Sequence, residues 1–409
     1  MRRAAVPGPR RRGPLQTSRL WRDPVGFLAS CRSRFGDAFH LRLWPIGDLV
    51  VISSPELITE LIVTPNDDLR CGEATRRVLP ILGEQALPCL DGDEHSARRR
   101  TLLPVFGGRR LDAHADRVEA AIAAELARWP QAEPLRALPR LRSLALALAG
   151  EIVLGAKPPQ LEERLQRYVA GRAAIAGWFP RLQPARLVLE RRRRELDELL
   201  LELVRRPPPG EHALSALLAS GLEPELVAEE LRALLLVAHE STACALAWTL
   251  ERLAHHPHVL ERLRDGEETY LDGVAREVLR ARPPVLDAVR LASRPVALPD
   301  GRTIPAGTIV MATPLLLHHR ADLYPDPAAF RPERFLAGKP PEGTDIAFGG
   351  GERRCLGAQL ATLEIKTLLR VLADRYAVLP AAAAPERARL LGTAVAPARG
   401  ARVIVLPKT

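Results

Sequence analysis

The residue whose type and setting most clearly indicate chemistry is Cys355. It stands in the run Phe348-Gly349-Gly350-Gly351-Glu352-Arg353-Arg354-Cys355-Leu356-Gly357-Ala358, a glycine-dense loop with cations before the cysteine. An apolar helical stripe follows. A cysteine at the start of a helix, among backbone N–H groups and positive charge, is predicted to be a stabilised thiolate. A lone buried cysteine is more often a structural thiol, so the surrounding positions must decide between the two interpretations.

The spacing of this loop resembles the haem-binding loop of the cytochrome P450 superfamily. Five positions fit that pattern: Phe348, Gly351, Arg353, Cys355 and Gly357. In this family a cysteine thiolate binds the haem iron and donates electron density that favours O–O cleavage. The resemblance extends over roughly residues 20 to 409. It implies haem b as cofactor, Cys355 as the iron ligand, and Phe348, Gly349, Arg353 and Gly357 as cofactor-binding residues.

Composition limits the other classes of protein. The chain has 409 residues, 47% hydrophobic content and five scattered cysteines without a Cys-x-x-Cys pair, so we expect neither a disulfide framework nor a zinc site. The net charge of +10 is spread along the chain and aromatic residues make up only 4%, which favours an acidic protein partner over nucleic acid. The arginine-rich N-terminal segment lacks the apolar region of a signal peptide. No apolar run reaches the roughly 20 residues that a membrane span needs. We expect a soluble, cytoplasmic protein.

The pattern along the chain predicts a mainly α protein with small β-sheets. Residues 1–22 read as a flexible arm rich in arginine and proline, and residues 23–409 as one domain. The predicted elements are two short strands within 37–53, mainly helix from 93 to 256, strands within 287–313, an irregular stretch over 314–347, a helix after Cys355 and a strand over 402–406. The resemblance implies the single-domain cytochrome P450 fold, with haem between the long central helix and the helix that follows Cys355.

The long central helix is predicted to begin at Pro224 and end before Pro257, about 50 Å in length. Its middle carries Glu240, Ser241 and Thr242 among apolar residues, and an acid is costly to bury without a reason. One interpretation is a solvent-facing glutamate with the hydroxyls bonded back to helix carbonyls. The resemblance implies another: Glu240 and Ser241, with Thr242 beside them, form the catalytic acid–alcohol pair that delivers protons to bound O2.

This part of the helix departs from the family pattern. Val237 and Ala238 replace a small Ala-Gly pair, and Ser241 replaces the usual threonine. Serine keeps the hydroxyl but loses the methyl group that restricts the rotamer. We expect a working relay that is leakier than one with threonine. The resemblance also implies that Ala238 faces the haem.

Two further groups of charged residues match the family. Glu277 and Arg280 lie three positions apart on a predicted helix, which alone indicates only a surface ion pair. With Arg334 from the run Phe330-Arg331-Pro332-Glu333-Arg334-Phe335, the resemblance implies a buried structural network that holds the cysteine loop.

A second group would bind the haem propionates. His95 and Arg99 lie one helical turn apart, which could equally be a basic surface helix. The resemblance implies that these two residues, together with Arg290 and Arg353, supply charge-assisted partners to the two carboxylates.

The resemblance implies a haem-thiolate monooxygenase that uses O2 and two external electrons. Nothing in the chain indicates a flavin or iron–sulfur domain, so ferredoxin and ferredoxin reductase are the expected donors. The cations Arg98, Arg99, Arg100, Arg353 and Arg354 would face an acidic ferredoxin. Three alternatives stay open: a peroxide-driven or isomerising haem-thiolate enzyme, a haem sensor, and a basic nucleic-acid-binding protein.

The expected substrate is an apolar small molecule, such as a terpene, fatty acid or polyketide-like compound of secondary metabolism, to be hydroxylated or epoxidised. The pocket walls implied by family position are mostly aliphatic. They are Val237, Ala238, Val285, Leu286, Val289, Thr393 and Ala394.

Overall fold

The structure is a computed structural model that describes residues 6–10, 13–178, 183–336, 338, 340, 343–392 and 394–408, without the side chains of residues 109 and 171–186. It is mainly helical, as predicted. The helices are α1 Gly13–Arg22, α2 Pro24–Phe35, α3 Pro55–Ile58, α4 Cys71–Val78, α5 Gly92–Leu102, α6 Arg109–Ala127, α7 Ala137–Leu154, α8 Leu161–Trp178, α9 Gln183–Arg205, α10 Ala213–Ala219, α11 Pro224–His255, α12 Pro257–Arg262, α13 Glu268–Ala281, α14 Pro314–Leu317 and α15 Ala358–Arg375. The strands are β1 Ala38–Leu43, β2 Gly47–Ile52, β3 Leu69–Arg70, β4 Leu135–Arg136, β5 Ala288–Ala292, β6 Val296–Ala297, β7 Thr303–Ile304, β8 Ile309–Ala312, β9 Tyr376–Pro380, β10 Ala388–Leu391, β11 Ala394–Pro397 and β12 Arg402–Pro407.

The chain forms two compact units. Unit 1 comprises residues 1–70, 111–144 and 241–409, and unit 2 comprises residues 71–110 and 145–240. The sequence predicted one domain over residues 23–409, and that single domain stays a prediction.

Unit 1 contains the β-sheets. The largest has the strand order β1-β2-β8-β5-β3, with β2 and β8 parallel and the other neighbours antiparallel. Buried aliphatic residues such as Val50, Ile52 and Val310 belong to a core cluster on this sheet. The sheet fixes β5 between β3 and β8, which positions the segment that leads into β5.

The N-terminal part of unit 1 differs from the prediction. Residues 13–22, expected to be part of a flexible arm, form the helix α1, with Leu20 and Gln16 each 2% exposed. Gln16 accepts a bond of 3.0 Å from the Arg42 backbone N–H, and Thr17 Oγ1 accepts one of 2.8 Å from Trp44. These bonds and the burial of Leu20 tie α1 to the hairpin of β1 and β2. The prediction of an arm over residues 13–22 was therefore wrong.

The chain after α15 also contains more strands than the sequence indicated. The sequence predicted only the final strand, which is present as β12. β12 pairs with β9 and β4, and β10 pairs with β11 as a separate two-stranded sheet. Alanine and proline are frequent in β9–β11. Because both residues have low strand propensity, the pattern gave no signal for these elements.

Unit 2 is helical. The long helices α8 and α9 pack along each other, and the guanidinium of Arg164 on α8 donates 2.5 Å to the backbone oxygen of Glu195 on α9. Tyr168 of α8 donates 2.8 Å to the backbone oxygen of Ile81. The helix α5 packs on α10.

The helix α11 begins at Pro224 and ends at His255, as predicted. Among the described residues it is the one helix that is long and apolar enough to cross a membrane, but 72% of its most apolar 18-residue window is buried inside the protein. A helix that buries most of its apolar surface against protein behaves as a core helix. Residues 224–240 belong to unit 2 and residues 241–255 to unit 1.

Candidate active site

The loop before α15 presents Cys355 from a closed backbone turn. The Cys355 N–H donates 2.8 Å to the Phe348 carbonyl oxygen, and the Arg354 N–H donates 3.1 Å to the Gly351 carbonyl oxygen. Gly349 and Gly351 have φ angles of 70° and 60°, in the left-handed region that favours glycine. These bonds leave the Cys355 side chain exposed rather than packed in the core. The structure thus does not make Cys355 a buried structural thiol.

The loop is supported on one side by the π-helical turn Thr59–Val63. A Cβ at Gly351 would lie 2.1 Å from the Val63 carbonyl oxygen, and a Cβ at Gly350 would lie 2.7 Å from Val63 Cγ2. Both glycines are therefore required by close packing against Val63. Any larger residue would push the cysteine loop away from this turn.

Gly357 has a different environment, and it provides a test of whether a haem fits. Its φ is −89°, a value open to any residue, and a Cβ there would meet nothing within 4 Å. The protein's own packing and backbone do not require a glycine here. A flat ring lying against the backbone would require one, because a side chain would push the ring away. The open space at Gly357, two residues from an exposed thiol, fits a thiolate-bound haem.

The start of α15 adds favourable electrostatics at this place. Gly357 occupies the N-cap position, no side chain caps the helix, and Arg353 and Arg354 precede the cysteine. The helix N-terminus carries partial positive charge from its unpaired N–H groups, which stabilises an anion nearby. Both features are of the kind that stabilise a thiolate, and a thiolate at Cys355 stays a prediction.

The structure brings Glu277, Arg280 and Arg334 together. The Arg280 guanidinium donates to both Glu277 carboxylate oxygens at 2.7 and 2.8 Å, and Arg334 Nε lies 3.2 Å from Glu277 Oε2. The side chains are 2%, 0% and 10% exposed for Arg280, Glu277 and Arg334. One buried carboxylate is thus shared by two guanidinium groups, which is the arrangement that makes burial of an ion pair tolerable.

This network also fixes the irregular chain ahead of the cysteine loop. Arg280 donates to the carbonyl oxygens of His318, Pro327 and Ala329 at 2.9, 3.0 and 3.2 Å. Glu277 accepts 2.8 Å from the Arg331 backbone N–H. Backbone groups that have no strand or helix partner are thereby satisfied, so a long irregular segment holds a defined path.

Arg290 lies on β5 and is 7% exposed. Its guanidinium donates 2.5 Å to the Ile62 carbonyl oxygen and 2.9 Å to the Val289 carbonyl oxygen. Ile62 belongs to the π-helical turn that supports Gly350 and Gly351. Arg290 therefore links the sheet to the cysteine loop, and its role at a propionate stays a prediction. Arg353 is also in unit 1, with a side chain only 8% exposed.

The hydroxyl-bearing part of α11 lies at the junction of the two units in sequence. Glu240 has a side chain 25% exposed, and Ser241 is half-buried. Thr242 is buried and its side chain is hydrogen-bonded to Glu364 of α15 within unit 1. Glu364 is 4% exposed, and burial raises its pKa to about 8, although the Thr242 bond acts in the opposite direction. Thr242 is thus engaged by a buried acid that carries a proton at neutral pH.

His95 and Arg99 lie on α5 in unit 2, one turn apart. His95 is 4% exposed and Arg99 is half-buried, so the helix is not simply a basic surface.

Their neighbour Arg98 differs from the expectation of a basic docking face. Its guanidinium forms a 2.7 Å ion pair with Glu230, and the two side chains are 12% and 0% exposed. Arg98 therefore points into unit 2. Arg353 is half-buried as well, and the docking face for a ferredoxin stays a prediction.

The predicted pocket walls in unit 1 share one region. Val285 forms an isolated antiparallel bridge with Ala394, and the Thr313 hydroxyl donates 2.7 Å to the Leu286 carbonyl oxygen. Val289 is half-buried and Leu286 is 6% exposed. Thr393 lies outside the described residues. In unit 2, Val237 is 41% exposed and Ala238 half-buried, so α11 presents apolar surface there.

Two acids in these surroundings escaped the sequence analysis. Glu364 shares a helical face with Leu360 and Leu368, four positions away on either side, and this spacing signalled burial. Asp287 interrupts the aliphatic run from Val285 to Val289. It is half-buried, and burial raises its pKa to about 6.

Comparison with known proteins agrees with this geometry. The family model for cytochrome P450 matches residues 188–398. The relative "Putative cytochrome P450 135B1" of Mycobacterium tuberculosis is 32% identical, with 98% of this chain and 91% of that protein covered. The chain belongs to the cytochrome P450 family. "Putative cytochrome P450 137" of the same species is 31% identical over 91% of this chain and 84% of the relative.

Solved structures of the family match the fold. A retinoic acid-bound cyanobacterial P450, CYP120A1, superposes with a TM-score of 0.88 and 26% identity, covering 99% of this chain and 100% of that one. The haem domain of cytochrome P450DA superposes with a TM-score of 0.85 at 20% identity, covering 100% and 98% of the two chains, and supports the fold alone. Membership of the P450 family implies a haem cofactor, redox partners, O2 and oxidoreductase activity, usually monooxygenation.

Proposed function

We propose that this P450 is a haem b monooxygenase that hydroxylates or epoxidises an apolar small molecule. The observation that carries the proposal is the pairing of an exposed Cys355 with the open space at Gly357, on a loop fixed by close glycine packing. When bound, haem would supply the centre at which O2 is reduced and an oxygen atom is inserted. The protein supplies the thiolate, the proton path and the pocket.

Cys355 would hold the iron, with Phe348, Gly349 and Gly357 around the thiolate. His95 and Arg99 from α5, and Arg290 and Arg353 from unit 1, would bind the propionates, because buried or half-buried cations suit two carboxylates. The Glu277 network would act indirectly, by holding the chain that leads into the cysteine loop.

Glu240 and Ser241 would move protons toward bound O2. A carboxylate that is one-quarter exposed can exchange protons with solvent, and a hydroxyl next to it can pass them on. Thr242 would support this path by its bond to Glu364, which fixes the position of α11 over α15 within unit 1. Serine in place of threonine leaves one more rotamer open at the relay position.

We propose electron supply from a separate ferredoxin and its reductase, in the cytoplasm. Arg98 and Arg353 are half-buried, so Arg100 and Arg354 are the exposed cations of the predicted docking face. The substrate would be apolar, because Val285, Leu286, Val289 and Ala394 are aliphatic. The retinoic acid-bound relative supports an isoprenoid-sized ligand, and a pathway of secondary metabolism would use such a compound.

The test is the absorption spectrum of the dithionite-reduced protein under carbon monoxide. The expected result is the red-shifted Soret band of thiolate-ligated haem, lost in Cys355→Ala and retained in the control Cys71→Ala. A Soret band typical of histidine ligation in the wild-type protein would contradict the proposal. Turnover with peroxide but not with ferredoxin, its reductase and O2 would instead favour a peroxide-driven enzyme.

A further inference from the structure

A buried histidine joins the end of α14 to the start of the loop that carries Cys355. His318 directly follows α14, and it is fully buried. The Ile346 backbone N–H donates 3.2 Å to its Nε2 atom. Both residues belong to unit 1, and they are 28 positions apart in the chain. One imidazole ring therefore connects the two segments.

Ile346 begins the turn that leads into the cysteine loop. Its carbonyl oxygen accepts 3.0 Å from the Gly349 N–H, and Gly349 has a φ of 70°. Within this turn, the Phe348 carbonyl oxygen accepts the Cys355 N–H at 2.8 Å. A displacement of the Ile346 backbone would therefore be passed to Cys355 through two successive hydrogen bonds.

His318 itself is held by the buried ion network. Arg280 donates 2.9 Å to the His318 carbonyl oxygen and 2.8 Å to the Glu277 carboxylate. The Ile346 side chain belongs to the same apolar core cluster as Ile62 of the π-helical turn. The imidazole thus stands between a fixed anchor and the cysteine loop, where its length and its acceptor atom can set the position of the loop.

The bond to Ile346 also defines the protonation state of the ring. A backbone N–H can only donate, so Nε2 of His318 carries no proton and the ring is neutral. Burial favours this form and lowers the pKa of His318 to about 4, although Asp345, whose Oδ1 lies 3.8 Å from Nε2, acts in the opposite direction. A buried N–H without an acceptor is costly, so this position requires an acceptor that reaches Ile346.

We propose that neutral His318 is a positioning residue for the cysteine ligand, because its Nε2 sets the path of residues 346–349 and through them the position of Cys355. This inference rests on the proposed function, since it concerns the loop that would hold haem. His318 acts through the backbone and not by contact with iron. Without this acceptor the loop must move until the Ile346 N–H finds another partner, and Cys355 moves with it.

The test separates an acceptor of the right reach from any other change at this position. In His318→Gln the side-chain oxygen can reach the place of Nε2, whereas in His318→Asn the shorter side chain ends near the place of Nδ1, and His318→Leu has no acceptor. The matched control is Tyr324→Phe. It removes the neighbouring 2.9 Å bond from the Tyr324 hydroxyl to the Thr344 carbonyl oxygen but leaves the Ile346 N–H bonded.

Two quantities are measured on each purified full-length protein. The first is the rate of backbone hydrogen exchange in peptides that span residues 346–355, followed by mass spectrometry. The second is the share of haem that lacks the red-shifted thiolate band in the reduced carbon monoxide complex. Hydrogen exchange reports on the loop whether or not a thiolate binds the iron, so the two readouts are independent.

We expect His318→Asn and His318→Leu to exchange about 10- to 100-fold faster than the wild type in these peptides, the range for a buried N–H that has lost its acceptor. The share of haem without the thiolate band should rise in the same two variants. His318→Gln and Tyr324→Phe should stay within about twofold of the wild type in both readouts, because the Ile346 N–H keeps an acceptor.

Wild-type behaviour of both His318→Asn and His318→Leu would overturn the inference. So would a defect in His318→Gln or Tyr324→Phe as large as that in His318→Asn, or faster exchange with an unchanged thiolate band. The expected order of exchange rates in a protein whose wild type lacks the thiolate band would refute the haem assignment alone. A normal wild-type band with equal exchange in all variants would refute only the role of His318.

Discussion

Replacing Glu364 with glutamine should make the protein more stable, and increasingly so as the pH rises. Glu364 is 4% exposed on α15, and its one described side-chain hydrogen bond is to Thr242. Among the described residues no cation offsets its charge. Burial raises its pKa from 4.5 to about 8. Glutamine has the same shape and can still accept a bond from the Thr242 hydroxyl, but it has no charge to bury.

The size and sign of the effect follow from proton linkage. Below pH 4.5 the acid is protonated in both the folded and the unfolded chain, so its burial carries no ionisation penalty. As the pH rises from 4.5 to about 8, the unfolded chain gains a charge that the folded protein resists, and stability is lost at about 1.4 kcal/mol per unit. The penalty reaches about 5 kcal/mol above pH 8, and about 3 kcal/mol of it arises between pH 6 and pH 8.

The assay is urea unfolding of the haem-loaded wild type, Glu364→Gln and the control Asp374→Asn at pH 6 and pH 8.5. The free energy of unfolding of Glu364→Gln relative to the wild type should rise by about 3 kcal/mol between the two pH values, with unchanged dependence on urea concentration. Asp374→Asn, exposed near the C-terminal end of the same helix, should show no such rise. A difference that is the same at both pH values would refute the claim that Glu364 is held neutral.

Three other substitutions test separate parts of the site. Glu277→Gln should lower the free energy of unfolding by about 3–5 kcal/mol and loosen the cysteine loop, because Arg280 and Arg334 lose their shared carboxylate. The control Glu333→Gln, in the exposed pair with Arg262, should lower it by under about 1 kcal/mol in urea unfolding. Arg98→Met should lower the free energy of unfolding by about 3–5 kcal/mol at pH 8, because Glu230 is left buried without its cation. An effect no larger than that of Arg100→Met would argue against the Arg98–Glu230 pair. Ser241→Thr should lower the peroxide released per electron pair during turnover without loss of activity, and an unchanged ratio would remove the rotamer argument.

The sequence alone located the parts of the site that rely on spacing within one segment. The bounds of α11 follow from Pro224 and Pro257, because proline is favoured in the first turn of a helix and disfavoured in its interior. The glycines around Cys355 were recognised from their spacing in the sequence. The structure shows that two of them, Gly349 and Gly351, have positive φ angles. The hairpin of β1 and β2 followed from alternation and a turn glycine.

Features that depend on which side of an element meets the core were harder to predict. Three successive arginines, Arg98 to Arg100, look alike in sequence, yet Arg98 points to Glu230, 132 positions along the chain. The position of α1 depends on hydrogen bonds between the side chains of Gln16 and Thr17 and the hairpin of β1 and β2. No local sequence pattern predicts these bonds. Long-range partners of this kind can be predicted only when the packing of the elements is known.

The acids near the site differ in how their charge is compensated, and this difference assigns their roles. Glu277 is paired with two guanidinium groups, so it acts as a structural anchor. Within the part of the chain that the structure describes, Glu364 has only the Thr242 hydroxyl as a side-chain partner, and burial raises its pKa to about 8. It therefore supports α11 as a neutral hydrogen-bonding group at neutral pH. Glu277 and Glu364 thus both serve stability, the first through its ion pairs and the second through a hydrogen bond.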